Sequence, residues 1–327
     1  MNYNGWFVEE PGGKFKKLEL QYPTLGRSQV LVKISASGVN PLDTKIRAGK
    51  ASHAKQPLPA VLGVDMAGTV EKVGSEVTSF RVKDEVYGLV GGVGGLQGTL
   101  AEFIAVDADL IAHKPRNLSM RQSAALPLSA ITAWEGLVDR AKVHANQKVL
   151  IHAGAGGVGQ IAIQIALAFG AEVSATVSSD KKKIVEDFGA SAIDYRVVSV
   201  VDYVAAHTEG KGFDIVYYTV GAETLDASFT AVKRYTGHVI SCLGWGFHSL
   251  APLSFRGATY SGVFTLLPLI TGESRAHHGN ILKQVATLAE ADKLRPLLNE
   301  RHFSVADIDH AHEIVAAGAL GKVVVEF

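Results

Sequence analysis

The 327-residue chain has a single cysteine, Cys242, which excludes an intramolecular disulfide and any four-cysteine zinc site. It has no excess of either charge: 32 Lys plus Arg balance 32 Asp plus Glu, for a formal net charge of +0. That balance removes the global electrostatic argument for nucleic acid or an anionic membrane, and neither is expected as a partner. Long apolar runs are missing too. The stretches around Ile161–Phe169 and Val263–Ile270 fall well short of the ~18 residues that cross a bilayer. Residues Met1–Gly13 lack the basic start and apolar run of a secretory leader, so a cytoplasmic location is expected.

What is present describes a globular chain, 47% hydrophobic and 20% charged, long enough for two domains with a core each. Glycine is the outlier, with 34 residues of 327, above the typical ~7%.

The first third has the texture of a small β-barrel. Gln29–Val39 alternates with Val30, Val32 and Ile34 on one face, and Ala67–Val73, Glu85–Leu89 and Leu100–Val106 are further short strands. The pattern changes near Pro127. Ser129–Val138 has helical spacing, and strands then alternate with helices: Lys148–His152, Val158–Phe169, Glu172–Val177, Asp180–Phe188 and Ala192–Tyr195. Phe213–Thr219, Thr224–Arg234, Gly237–Leu243 and Thr259–Phe264 continue the alternation. Apolar strands between helices predict a doubly wound parallel sheet of about six strands, the Rossmann α/β arrangement. The tail holds a helix over Asn280–Ala291 and a strand over Lys322–Phe327 that is expected to return to the first domain. The expected division is 1–126, 127–265 and a return over 266–327.

The strongest motif is Gly154-Ala155-Gly156-Gly157-Val158-Gly159, a full G-x-G-x-x-G between a buried strand and an apolar helix. The first glycine permits the tight turn, the second lets a pyrophosphate approach the backbone, and the third lets helix pack on strand. An NAD site places an acid near the end of the next strand, where it binds the ribose 2′-OH. Here Ser178 holds that place, and Asp180, Lys181, Lys182 and Lys183 follow. The cations suit a 2′-phosphate and hence NADP(H). Asp180 offers the ribose an acid, which leaves NAD(H) open. The plain structural alternative is an N-cap followed by a solvated lysine face. A second glycine cluster, Gly88 to Gly98, has the wrong spacing and no following helix, and it is read as a loop.

These residues are specific enough to show a resemblance over the entire chain. Ser37-Gly38-Val39-Asn40-Pro41-Leu42-Asp43, Leu62-Gly63-Val64-Asp65-Met66-Ala67-Gly68, Ile131-Thr132-Ala133-Trp134 and Ala153–Gly159 resemble the zinc-free quinone oxidoreductases, the zeta-crystallin-like branch of the medium-chain dehydrogenase/reductase superfamily. The resemblance implies a chaperonin-10-like (GroES-like) β-barrel domain, a Rossmann domain, and a homodimer or tetramer paired through the edge of the dinucleotide sheet. Zinc relatives place a cysteine where Asn40 stands and a His-Glu pair where Val64-Asp65 stand, so zinc is not expected. Flavin is not expected either.

The resemblance further implies that Asn40 and Thr132 lie near the nicotinamide, with Asp43 fixing the loop or relaying a proton. Each has a bland alternative: a turn residue before Pro41, a helix threonine bonded to its own backbone, a helix cap. Relatives often carry a tyrosine where this chain has Lys45, which either offers a cation to the substrate oxygen or is simply solvated. The remaining cofactor contacts carried over are Gly154, Ala155, Gly156, Gly157, Val158, Ser178, Lys181, Lys182, Tyr195, Val220, Leu243, Phe264 and Lys322. The function so implied is NADPH-dependent hydride transfer to a quinone or an activated alkene (enone or enal). A ketone or alcohol dehydrogenase of the same fold, and a non-catalytic NADPH-binding or RNA-associated protein, are the alternatives.

Overall fold

The computed structural model describes residues 2–221 and 224–327, with nothing described of the Thr224 side chain. The chain divides into two compact units, Met1–Ile131 with Leu266–Phe327, and Thr132–Thr265.

The first unit is built on β1 (Asn2–Val8), β2 (Lys16–Gln21), β3 (Gln29–Val39), β4 (Ala60–Val61) and β5 (Asp65–Val73). Three more strands follow: β6 (Glu85–Leu89), β7 (Phe103–Asp107) and β8 (Ile111–His113). β3 is its spine. It pairs antiparallel with both β5 and β7, and register shifts beside Val32 and Ala36 bend it. The bend lets Val30, Leu31, Val32 and Ile34 all be buried, where flat alternation would have exposed Leu31. The strand expected over Leu100–Val106 begins only at Phe103, because Ala101 forms an isolated bridge to Gly5 instead. β1, β2 and β8 carry no clear period-2 signal and were not expected.

The second unit carries β9 (Lys148–Ile151), β10 (Glu172–Val177), β11 (Ser191–Asp194), β12 (Ile215–Tyr218), β13 (His238–Ser241) and β14 (Thr259–Gly262). They form one parallel sheet in the order β11-β10-β9-β12-β13-β14. This is the doubly wound order with β9 and β12 at its switch point, where ligands dock beyond the strand C-termini. Leu150, Val216, Tyr218 and Val239 form its buried centre with Phe213, Leu225 and Phe229. Each such side chain contributes roughly 1.5–3 kcal/mol on full burial. A helix over Val200–Thr208, capped by the Ser199 hydroxyl, had no counterpart in the sequence pattern.

The chain then returns with β15 (Phe303–Ser304) and β16 (Val323–Glu326), completing the order β15-β16-β3-β5-β6-β8 in the first unit. The boundary at Ile131/Thr132 lies inside the Pro127–Trp134 helix, five residues beyond the expected break after 126. Leu128 N–H donates to Asp65 in the first unit, while the Thr132 carbonyl accepts from Tyr217 in the second.

Candidate functional site

The glycine turn leaves β9 and enters the Gly157–Ala168 helix. Its glycines have distinct duties. A Cβ on Gly154 would stand 2.7 Å from Ala175 Cβ, and one on Gly159 would stand 2.2 Å from the Ala153 carbonyl oxygen. Those two are demanded by packing. A Cβ on Gly156 would meet only Ala153, its carbonyl oxygen at 3.1 Å and its Cβ at 3.8 Å. The space beside Gly156 is the approach a pyrophosphate needs. As helix N-cap, Gly156 supplies no side-chain acceptor, so the first-turn N–H groups have none from it and the positive end of the dipole suits an anion. Ala153 enters the turn at φ 52°, a left-handed conformation costing an alanine roughly 1–2 kcal/mol. Ala153 N–H donates to Thr176 Oγ1 at 3.2 Å, and Gly154 N–H to the Thr176 carbonyl at 2.9 Å.

Just beyond β10, Ser178 is buried, at the position where the sequence pattern expects the ribose-binding acid of an NAD site. The Ser178 hydroxyl, then the backbone N–H, and then the charges of Lys181 and Arg196 hold the Asp180 carboxyl below its ordinary range. Lys183 is committed to Asp187 at 2.9 Å. Lys181 and Lys182 make no ion pair with an acid among the described residues. Tyr195 is exposed, with the Arg196 guanidinium 5.8 Å from its ring centroid. Arg196, two residues beyond β11 and acting electrostatically on Asp180, is a further cation that sequence reasoning missed, although it directly follows Tyr195. Val220 is exposed two residues beyond β12, and Leu243 is half-buried beyond β13. Phe264 is partly exposed; it does not end β14, which stops at Gly262.

Thr132 is buried, its hydroxyl 3.0 Å from Thr265 Oγ1, which in turn donates to Glu135 at 3.2 Å. Its helix runs directly into a π-turn over Glu135–Arg140, and Tyr217 donates to the Thr132 carbonyl at 2.6 Å. Single π-turns of this kind are frequent at functional sites.

The first unit holds a buried polar cluster on three elements: the start of the Pro41–Arg47 helix, the start of β5, and the residue before β16. Asn40 Nδ2 donates to Asp65 Oδ2 at 2.9 Å, and Lys322 Nζ donates to Asn40 Oδ1 and, at 3.2 Å, to Asp65 Oδ2. Lysine can only donate and a carboxylate here only accepts, so the amide orientation of Asn40 is determined. Asp65 Oδ1 accepts from Leu128 N–H at 2.8 Å. Burial pushes the Asp65 carboxyl up, opposed by Lys322, Asn40 and Leu128. Asp43 accepts from Asn40 N–H at 2.7 Å, the reciprocal bond of a helix start. Its other oxygen, Oδ1, is buried without a hydrogen-bond partner among the described residues. Burial raises the Asp43 carboxyl to about 7, against the pull of the Asn40 N–H, with Asp65 adding to the rise and Lys322 opposing it.

The cluster thus joins Asn40, Asp43 and Lys322, which the sequence singled out, around Asp65, which it noted as part of a family motif and as a departure from the zinc pattern but gave no role. An aspartate inside Val64-Asp65-Met66-Ala67 was the available signal, since a buried acid requires partners. Lys45 is not in the cluster. It stands exposed on the Pro41–Arg47 helix. Among the described residues no group of three His, Cys, Asp or Glu side chains is arranged to hold a metal ion, and no helix is long and apolar enough to cross a membrane.

Comparison with known proteins agrees with this architecture. The family model for an alcohol dehydrogenase GroES-like domain matches residues 26–116, and that for a zinc-binding dehydrogenase matches 157–274. The NADPH-dependent alkenal/one oxidoreductase of Arabidopsis thaliana chloroplasts is 35% identical, over 98% of this chain and 78% of its own. A crystal structure of an alcohol dehydrogenase superfamily protein from Novosphingobium aromaticivorans is 55% identical, with TM-score 0.97 over 99% of both chains. The quinone oxidoreductase of Coxiella burnetii is 27% identical, with TM-score 0.83 over 100% of both. A GroES-like barrel followed by a Rossmann sheet with its glycine turn defines an oxidoreductase of the medium-chain dehydrogenase/reductase superfamily. Within it, this chain belongs to the zinc-free quinone oxidoreductase branch.

Proposed function

We propose that the protein is an NADPH-dependent reductase that passes a hydride to a quinone or to the β-carbon of an activated alkene, without zinc or flavin. The observation that carries this reading is the pairing of an open approach at Gly156 with the cations Lys181 and Lys182 beyond β10 and Arg196 beyond β11, set about Ser178 and Asp180 where an NAD site has a lone acid. The named relatives, an alkenal/one oxidoreductase and a quinone oxidoreductase, support it.

NADPH, when bound, supplies the hydride. The chain's own residues bind and orient. Backbone N–H groups of Gly157 and Val158 hold the pyrophosphate, with Ala155 lining the turn. Lys181, Lys182 and Arg196 hold the 2′-phosphate, Ser178 the ribose, and Tyr195 flanks the adenosine. Val220, Leu243 and Phe264 border the nucleotide beyond their strands, and Thr132 serves its nicotinamide end. In the first unit Asn40 is the positioned amide, oriented by Asp65 and Lys322. Asp43, whose carboxyl lies near 7, is the proton store for the oxyanion or enolate that a hydride acceptor becomes. The same reading includes a cytoplasmic location and a homodimer along the edge strand β14; Trp245, Phe247 and Phe255, in the segment between β13 and β14, are exposed.

The test is to follow NADPH absorbance with purified protein and parallel panels of quinones, enones and enals. Oxidation with either class supports the reading; none with both rejects it.

A further inference from the structure

His152 is the last residue before the left-handed Ala153, and no step above uses it. Its ring is buried and bonded at both nitrogens. Nδ1 lies 3.2 Å from Thr176 Oγ1 on β10, and Nε2 lies 3.2 Å from Ser228 Oγ on the Thr224–Ala231 helix. Thr176 Oγ1 also accepts from Ala153 N–H at 3.2 Å. Burial lowers the imidazole to about 4, so near neutrality the ring is uncharged, with one donor and one acceptor nitrogen. One tautomer uses the Thr176 hydroxyl on both sides: Ala153 N–H donates to Thr176, Thr176 O–H to Nδ1, and Nε2–H to Ser228. The backbone of the same residue is held as well, its N–H by the Tyr217 carbonyl at 2.9 Å and its carbonyl by the Thr219 hydroxyl at 2.6 Å.

We propose that His152 is a positioning residue for the cofactor: its ring, working through Thr176, holds the Ala153 backbone in the left-handed conformation that presents the glycine turn to a dinucleotide. The inference rests on the reading of that turn as the pyrophosphate site. A hydrophobic ring of similar size would fill the space and bond neither hydroxyl. The Thr176 hydroxyl would then lose its acceptor, and the Ala153 N–H would be held by a hydroxyl free to rotate. The effect belongs to nucleotide binding, since the ring reaches the turn only through Thr176 and the chain.

Two measurements on the full-length protein separate this claim from the reading beneath it. Hydrogen exchange without nucleotide reports the brace: in His152→Phe and in Thr176→Val, the 153–157 amides exchange about tenfold faster, while the strands of the same sheet keep their protection. Calorimetric titration reports the cofactor: both variants bind NADPH roughly tenfold more weakly, with kcat at saturating NADPH within about twofold of wild type. Thr176→Ser retains the hydroxyl and restores both values. A purely structural role lowers Tm and leaves the NADPH Kd of the folded protein unchanged; that result overturns the proposal, as does unaltered exchange at 153–157. Should His152→Phe not fold, the Thr176→Val and Thr176→Ser pair decides by the same criteria. A wild-type protein that binds no NADPH rejects the pyrophosphate reading and with it the cofactor role, whatever the exchange result.

Discussion

Lys322 donates its ammonium to the side-chain oxygen of Asn40, 282 positions earlier in the chain, while both bond the same oxygen of Asp65. The C-terminal return therefore does more than complete a sheet. It carries the cation that neutralises a fully buried acid and fixes which way an amide points.

Removing that cation should be costly. Lys322→Met leaves Asp65 buried and uncompensated, with an expected loss of about 3–5 kcal/mol in urea unfolding. The double variant with Asp65→Leu should recover part of it, because an apolar pair carries no stranded charge. Equal losses in the single and double variants would remove the ion pair as the cause.

Asp43 should leave a mark on the pH dependence of stability. Its carboxyl lies at about 7 in the fold, above the 3.8 of a free aspartate. The folded state therefore binds the proton that the unfolded state has released, and this contribution to stability is full below about 4 and lost as pH rises to about 7. In Asp43→Asn that slope disappears, so the variant gains on the wild type as pH rises from 4 to 8. Parallel Tm-against-pH curves for the two proteins would contradict the assignment.

The glycines of the turn should fail in different ways. Gly159→Ala drives a Cβ against the Ala153 carbonyl, and a loss of about 1–3 kcal/mol in stability is expected. Gly156→Ala meets only Ala153, so its Tm should stay near wild type while NADPH binding weakens by about tenfold or more. Thermal melts with and without NADPH read both effects.

Cofactor choice should turn on the residues just beyond β10 and β11. Ser178→Asp adds the acid of an NAD site and repels a 2′-phosphate, and Arg196→Gln removes one of its cations. Each should shift the NADPH-to-NADH ratio of kcat/KM toward NADH, by about tenfold for Ser178→Asp. An unchanged ratio would place the 2′-phosphate elsewhere.

Much of this fold is legible in the sequence. The Glu172–Val177 and Glu85–Leu89 strands have the expected bounds, because apolar runs closed by glycine and charge leave little choice of ends. The glycine turn was legible because its chemistry is local: six consecutive residues serve one backbone shape. The hub role of Asp65 was not legible, since its partners Asn40, Leu128 and Lys322 come from remote positions. His152 was hidden for a related reason. In sequence it reads as one more member of a buried strand, and only the neighbouring strand and helix supply the hydroxyls that occupy its two nitrogens.

The sequence by itself determined the two-part plan, the parallel sheet and the glycine turn between strand and helix, because these depend on periodicity, spacing and residue type over short stretches. The tertiary structure alone decided which way the Asn40 amide faces, that Lys322 neutralises Asp65, that Lys45 stands in solvent, and that Arg196 adds its charge beside Asp180. Those outcomes depend on burial and on donors meeting acceptors across long chain separations, and neither exists until the chain has folded.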